Sequence, residues 1–141
     1  MGTRLAIDHV VLPSFDRAAT EGFYQEVLGL PLVEVFEGVS PVWNDRAFTL
    51  SSFALPGGAR LELFTVEGLE KPASDGLPVG LRHVALAVDS FDELEAWKRR
   101  LDAAGTWTSD FVPHGLDRRS LYFFDPNGHP FELTHRGSPR A

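Results

Sequence analysis

The chain carries part of itself twice. Ala54–Leu63 reads ALPGGARLEL and Phe124–Leu133 reads FDPNGHPFEL; at an offset of 70 (132 − 62), Pro56 falls on Pro126, Gly58 on Gly128, Leu61 on Phe131, Glu62 on Glu132 and Leu63 on Leu133. Further upstream, IDHVVL at Ile7–Leu12 matches LRHVAL at Leu81–Leu86, at an offset of 74 (83 − 9). A repeat of this length constrains the chain to build one supersecondary unit twice. Each copy starts with a strand bearing a His and ends with a strand bearing a Glu.

Local signals fill in the copies. In the first, Leu5–Leu12 alternates as a strand, and Ser14 or Asp16 caps a helix that runs to about Leu28 and stops at Gly29. Ala19, Phe23 and Val27 recur every four residues and form the expected buried stripe. Pro31–Glu37 reads as a strand, Gly38–Arg46 as a loop, Ala47–Leu55 and Ala59–Val66 as strands around the turn Pro56-Gly57-Gly58. In the second, Leu81–Val88 is a strand, and Ser90 or Asp92 caps a helix with Leu94, Trp97, Leu101 and Ala104 at helical spacing. Thr106–Val112 is strand-like, Pro113–Asp117 a turn, and Arg118–Phe124 and Pro130–Thr134 strands around Asp125-Pro126-Asn127-Gly128. Both copies read strand, helix, strand, strand, strand. The order predicts an α+β protein of two tandem βαβββ modules, the first about 5–66 and the second about 81–135. Glu67–Gly80, rich in Gly, Pro and charge, reads as the linker 67–80, and the tail from Arg136 as a loose polar end.

Composition excludes several functional classes. A net charge of −7 opposes binding along a nucleic-acid backbone. No apolar run approaches the roughly 20 residues of a membrane helix, and the N-terminal stretch lacks the features of a signal peptide, so the protein is read as cytoplasmic, with no nucleic acid and no membrane as partner. The chain has no cysteine, which rules out thiolate metal sites and disulfides.

Strand alternation places the repeated residues on faces. Val10 and Leu12 point away from His9, Leu61 and Leu63 from Glu62, Val84, Leu86 and Val88 from His83, and Phe131 and Leu133 from Glu132. The aliphatic face is the expected bed for the helices. The other face carries His9, Glu62, His83 and Glu132 beside Ile7, Val11, Phe64, Ala85 and Ala87. Two imidazoles and two carboxylates on a half-apolar face form a donor set for one divalent ion, Ni, Zn, Co, Mn or Fe, with positions left for substrate. Duplication of a hydrogen-bonded His and a solvated Glu leaves the same pattern, so the residues alone leave both readings open.

The stretches IDHVVL, FYQEVLGLPLV, RLELF, LRHVALAV and YFFDPNGHPFEL make the chain, from about Leu5 to His135, resemble the vicinal oxygen chelate superfamily: glyoxalase I, bleomycin-resistance proteins, fosfomycin-resistance enzymes, methylmalonyl-CoA epimerase and extradiol dioxygenases. The resemblance implies one domain spanning 1–141. It also implies a cupped eight-stranded mixed sheet with the helices outside, a small-molecule substrate, a homodimer, and metal ligands at His9, Glu62, His83 and Glu132. A Glu at position 62 brings the ligand set closest to glyoxalase I. The implied activity is metal-assisted proton transfer between neighbouring carbons of a small oxygenated substrate, a lyase or isomerase reaction. Glu132 or Glu62 would act as base.

Departures from the pattern shape the alternatives. Bacterial glyoxalase I enzymes often place an Arg four residues after the first His, where this chain has Pro13, so glutathione dependence is not expected. Tyr122 matches a Tyr of dioxygenases and fosfomycin enzymes and is a further catalytic candidate; His114 lies near a dioxygenase second-sphere His, and Arg118-Arg119 resemble the basic residues of fosfomycin-type enzymes. The competing expectations are therefore an extradiol-type ring-cleaving dioxygenase, a fosfomycin-type resistance enzyme, and a bleomycin-resistance-like protein without catalysis. In the last, Trp43, Phe64, Trp107 and Tyr122 would form the walls around an antibiotic.

Overall fold

The computed structural model describes residues 2–73, 76–77 and 81–137. The chain divides into two compact units, Met1–Pro72 and Ala73–Ala141. In the first, β1 (His9–Ser14), α1 (Arg17–Gly22), β2 (Leu32–Ser40), β3 (Arg46–Ala54) and β4 (Arg60–Val66) follow in order. In the second the order is β5 (Val84–Ala87), α2 (Phe91–Ala103), β6 (Val112–Pro113), β7 (Arg118–Phe124) and β8 (Pro130–Arg136). These are the two expected βαβββ modules. Each makes a four-stranded mixed sheet, ordered β1-β4-β3-β2 and β5-β8-β7-β6.

The repeat extends to the register. The parallel pair β1–β4 sets Val11 opposite Glu62, and β5–β8 sets Ala85 opposite Glu132. The antiparallel pairs set Ser52 opposite Glu62 and Tyr122 opposite Glu132. The two carboxylates therefore occupy one position in one topology. Their neighbours alternate as expected: Leu61, Leu63, Phe131 and Leu133 are buried on the opposite face. In the first unit Tyr24 stacks on Phe53 over that face, centroids 5.1 Å apart. In the second, Phe123 stacks on Phe131 at 5.3 Å, and α2 packs on β7 and β8 with Leu94 and Leu101 buried. Trp97 is half-buried and Ala104 exposed, so the inward stripe of α2 is narrower than its spacing predicted.

The two hairpin turns differ in how they are held. Asp125 accepts from the backbone N–H groups of Asn127 (2.9 Å) and His129 (2.8 Å), an Asx-type turn closed by Gly128 at φ 85°. The counterpart turn has glycine at both Gly57 and Gly58, at φ 95° and 104°.

Five expectations are corrected. The first strand starts at His9, not Leu5; its partner β4 begins only at Arg60, so Leu5 and Ile7 have no ladder and stand 93% and 70% exposed. Likewise β5 is confined to Val84–Ala87, and His83 precedes it. The stripe on the first helix is Thr20, Phe23, Tyr24 and Leu28, with Ala19 exposed. Beyond Thr20 a π-turn over Phe23–Val27, where the Leu28 N–H reaches back to the Phe23 carbonyl, adds a residue and brings Leu28 rather than Val27 inward. Thr106–Val112 is mostly irregular. There the backbone N–H of Tyr122 donates to Ser109 Oγ (2.9 Å) and the Thr108 hydroxyl bonds Asp102 (2.6 Å), so side chains replace a ladder. The expected loop at 38–46 is shorter, because β2 runs on to Ser40 and β3 starts at Arg46.

Of the alternative caps, Asp16 serves the first helix (accepting from the Ala19 N–H, 3.1 Å) and Ser90 the second (from the Glu93 N–H, 3.0 Å). Ser14 is instead buried in β1, its hydroxyl 2.8 Å from that of Thr20. Residues 74, 75 and 78–80 of the expected linker, and 138–141 of the tail, lie outside the described residues.

Candidate functional site

Each unit holds one His–Glu pair on the face opposite its aliphatic core. In the second unit, His83 Nε2 lies 2.9 Å from Glu132 Oε1. Glu132 is 1% exposed. A carboxylate at that depth needs several donors, and β7 supplies them through its period of two. Arg118 Nη2 donates to Oε2 at 2.7 Å, and the Ser120 hydroxyl donates to the same oxygen. Arg118 Nε is held in turn by Thr134 Oγ1 at 3.0 Å. Burial pushes the Glu132 carboxyl upward, but the bonds from Ser120, Arg118 and His83 and the charge of Arg118 outweigh it, and the net shift is downward. Glu132 is thus held as a carboxylate, with Oε2 engaged and Oε1 turned to the imidazole.

Tyr122 stands across the β7–β8 ladder from Glu132, its hydroxyl 3.2 Å from His114 Nε2. Its ring meets that of His83 edge-on, centroids 5.7 Å apart. Burial, then the charge of Glu132, raises the Tyr122 hydroxyl above the usual phenol value, with Arg118 opposing. His114 Nε2 lies 3.8 Å from Glu132 Oε2. The second unit therefore brings together His83, His114, Arg118, Ser120, Tyr122 and Glu132.

The first unit is more open. His9 Nε2 is 3.6 Å from Glu62 Oε1, and Glu62 Oε2 accepts from the Ser52 hydroxyl at 3.1 Å. Glu62 retains 14% side-chain exposure. His9 Nδ1–H donates to Asp8 at 2.7 Å, which leaves the Nε2 lone pair turned toward Glu62. That bond raises the His9 pKa above its ordinary value, with slight desolvation opposing and the charge of Glu62 adding to it.

The donor chemistry and spacing fit a first-row divalent ion. Two N/O ligands bonded at about 2.0–2.2 Å and set at a right angle stand about 3 Å apart. The His83–Glu132 pair has that separation and the His9–Glu62 pair lies slightly beyond it, at 2.9 and 3.6 Å. Among the described residues no group of three or more His, Cys, Asp or Glu side chains forms a metal site; each unit holds one His–Glu pair.

Ser120 and Asp8 were not singled out from the sequence; Arg118 was, as a basic residue of fosfomycin type, but not as the partner of Glu132. Ser120 and Arg118 share the parity of Tyr122 on β7, and that parity was the available signal. A strand continued back through Asp8 would turn it away from His9; because residues 5–8 are not strand, its side chain instead reaches the imidazole. Arg119 differs from Arg118: its guanidinium lies over the rings of Phe111 and Phe91, at 4.6 and 5.6 Å. Of the expected aromatic walls, Trp43 and Phe64 meet edge-on at 5.2 Å, whereas Trp107 leans on Phe124.

Comparison with known proteins decides the lineage. Residues 6–133 match the model of the Glyoxalase/Bleomycin resistance protein/Dioxygenase superfamily. The chain belongs to this superfamily. It is similar to the uncharacterized protein YaeR of Escherichia coli (strain K12), 29% identical over 129 residues, spanning 90% of this chain and 93% of that protein. Among solved structures, a lactoylglutathione lyase from Agrobacterium tumefaciens is 27% identical with a TM-score of 0.70, covering 95% of this chain and 96% of its own. A glyoxylase/bleomycin resistance protein/dioxygenase domain from Frankia sp. EAN1pec shares the fold with a TM-score of 0.79 at 22% identity, covering 95% of this chain and 99% of its own. Proteins of this superfamily bind small-molecule substrates. Among the described residues no helix is long and apolar enough to cross a membrane.

Proposed function

We propose that this protein is a divalent-metal-dependent lyase or isomerase of glyoxalase I type, acting on a small substrate with adjacent oxygens and without glutathione. The observation that carries the reading is the repeated pair: His9–Glu62 and His83–Glu132 occupy equivalent register positions, with donor atoms 3.6 and 2.9 Å apart. His9, Glu62, His83 and Glu132 would hold the ion, Ni, Zn, Co, Mn or Fe. A bound ion of this kind supplies Lewis-acid polarisation of substrate oxygens.

The protein's own residues divide the remaining work. Arg118 and Ser120 occupy Glu132 Oε2 and hold its charge, which suits a fixed ligand and weakens it as a base. Among the described residues Glu62 Oε2 accepts from a neutral hydroxyl, that of Ser52, and the side chain is partly exposed. Glu62 is therefore the better-placed carrier of the proton between substrate carbons. Asp8 orients His9. Pro13 stands where related enzymes have an Arg for the glutathione carboxylate, which supports a substrate without that group. We further propose that the protein is a cytoplasmic homodimer; light scattering of the purified protein should give twice the chain mass.

Elemental analysis tests the reading. Purified protein should carry about one divalent ion per chain, and His9→Ala, His83→Ala and Glu132→Ala should each lose it. Glu62→Gln should abolish turnover of dicarbonyl-derived substrates. Failure to take up any of the five ions would refute the proposal. Full turnover by Glu62→Gln would refute the assignment of the base.

One observation favours a second reading. The Tyr122 hydroxyl bonds His114 beside a buried ligand carboxylate, an arrangement suited to delivering a proton to a bound oxygenated ring. An extradiol-type dioxygenase would require iron, would consume oxygen with a catechol, and would lose activity in both Tyr122→Phe and His114→Ala. The lyase reading predicts no oxygen uptake.

A further inference from the structure

The first unit contains a cavity of about 350 Å³ that the paired ligands do not use; its walls include Val11, Pro13, Trp43, Phe64, Val66 and Arg46. Its size lies within the range of about 300–1,000 Å³ typical of small-molecule pockets. The register places it. Val11 stands opposite Glu62, Pro13 opposite Phe64, and Phe48 opposite Val66, with Arg46 beyond Phe48 on β3. The cavity thus begins beside Glu62 and ends at Arg46, along the face that carries the ligand pair.

Its walls are aromatic and its far end is cationic. Trp43 meets Phe64 and Phe48 edge-on, each at 5.2 Å, which fixes the indole as one wall. Arg17 and Arg60 of this unit are engaged by Glu21 and Glu34. Arg46, by contrast, makes no ion pair and no side-chain hydrogen bond among the described residues. Between Trp43 and Arg46 the backbone passes through two consecutive left-handed residues, Asn44 at φ 55° and Asp45 at φ 58°. The Asp45 N–H is tied back to the Ser40 carbonyl at 2.9 Å. Backbone held in this region is found preferentially at ligand clamps. The repeat does not create the feature: an offset of 70 puts Trp43 on Pro113 and Arg46 on Leu116, so the other unit has neither group.

We propose that this cavity is a subsite for the non-reacting part of a small organic carboxylate, with the Trp43–Phe64 walls taking an aromatic or branched apolar body and Arg46 taking the carboxylate. A single planar guanidinium offers paired N–H donors, which match one carboxylate. The inference rests on the proposed function only in identifying this ligand with the substrate; binding itself requires no metal.

The test is calorimetric titration of the full-length protein, in the presence of a chelator, with phenylbutyrate and with its uncharged amide. Phenylbutyrate should bind at least tenfold more tightly than the amide. Arg46→Gln should erase that preference, Arg46→Lys should keep part of it, and Trp43→Ala should weaken both probes. Equal binding of acid and amide, an unchanged preference in Arg46→Gln, or no binding of either probe overturns the inference. Far-ultraviolet circular dichroism of each variant checks folding, and exposed Arg46 is a site where substitution leaves the core untouched. Failure here with normal metal uptake sinks the subsite alone; intact probe binding with no metal uptake sinks the metal-dependent reading alone.

Discussion

The grip on Glu132 makes a quantitative prediction. Arg118→Ala removes the guanidinium that bonds Oε2 at 2.7 Å, leaving Ser120 and His83 as donors to a side chain with 1% exposure. Breaking a fully buried ion pair on one side costs about 3–5 kcal/mol, and a single hydrogen bond to a charged group contributes about 1.5–3 kcal/mol. Arg118 is 26% exposed, and two donors remain after its loss, so the lower range applies. The expected destabilisation is about 2–3 kcal/mol, or roughly 6–10 °C in melting temperature for a chain of this size. The assay is urea unfolding with chelator present throughout, in a Trp43→Phe background, so that Trp97 and Trp107 report on the second unit alone. In the Glu132→Gln background the carboxylate is gone, and Arg118→Ala should then cost less than about 1 kcal/mol; the difference is the coupling between the two side chains. A loss below about 0.5 kcal/mol in the parent, or an equal loss in both backgrounds, would refute the claim that Arg118 compensates a buried charge.

Other consequences are cheaper to check. Asp8→Asn weakens the orienting bond to His9 and should lower zinc affinity by about 10–100-fold, measured by competition with a chromogenic chelator. Ser90→Ala removes the cap of α2 and should cost about 1 kcal/mol in thermal unfolding, while Ser90→Asp should recover most of it. Burial pushes the Glu21 carboxyl upward, but bonds from Arg17 and Ser51 outweigh it and lower the folded value. Its stabilising contribution is therefore complete above the unfolded carboxyl value of about 4.3 and is lost as the pH falls through the lower folded value. Stability measured from about pH 5 down to about pH 3 should fall less steeply in Glu21→Gln than in the parent.

Much of this was legible because a strand repeats every two residues and the chain repeats its strands. The offset of Glu62 onto Glu132 fixed two matching positions, and alternation separated them from Leu61, Leu63, Phe131 and Leu133, which are buried as expected. Where the sequence misled, longer-range facts had decided. The length of β1 depends on where β4 begins, so Ile7 could not be seen to lack a partner and Asp8 could not be seen to reach His9. The π-turn at Phe23–Val27 adds a residue to the helix that a fixed helical period cannot register. The bonds from Arg118 and Ser120 cross between neighbouring strands, and their identity depends on the β7–β8 register rather than on local pattern.

The second strands of the two units are unequal, nine residues in β2 against two in β6. The two units share one topology but use their strands differently. The half with the short hairpin invests its β7 residues in clamping one carboxylate, so little of that strand is free to vary. The half with the long hairpin holds its carboxylate through Ser52 and His9, and Trp43, Asn44 and Arg46 line a recess. Substitutions at 43–46 would then reshape the recess while the bonds to Glu132 stayed as they are. The longer hairpin therefore gives the first unit a stretch of chain whose sequence can change without touching the donors that hold Glu132.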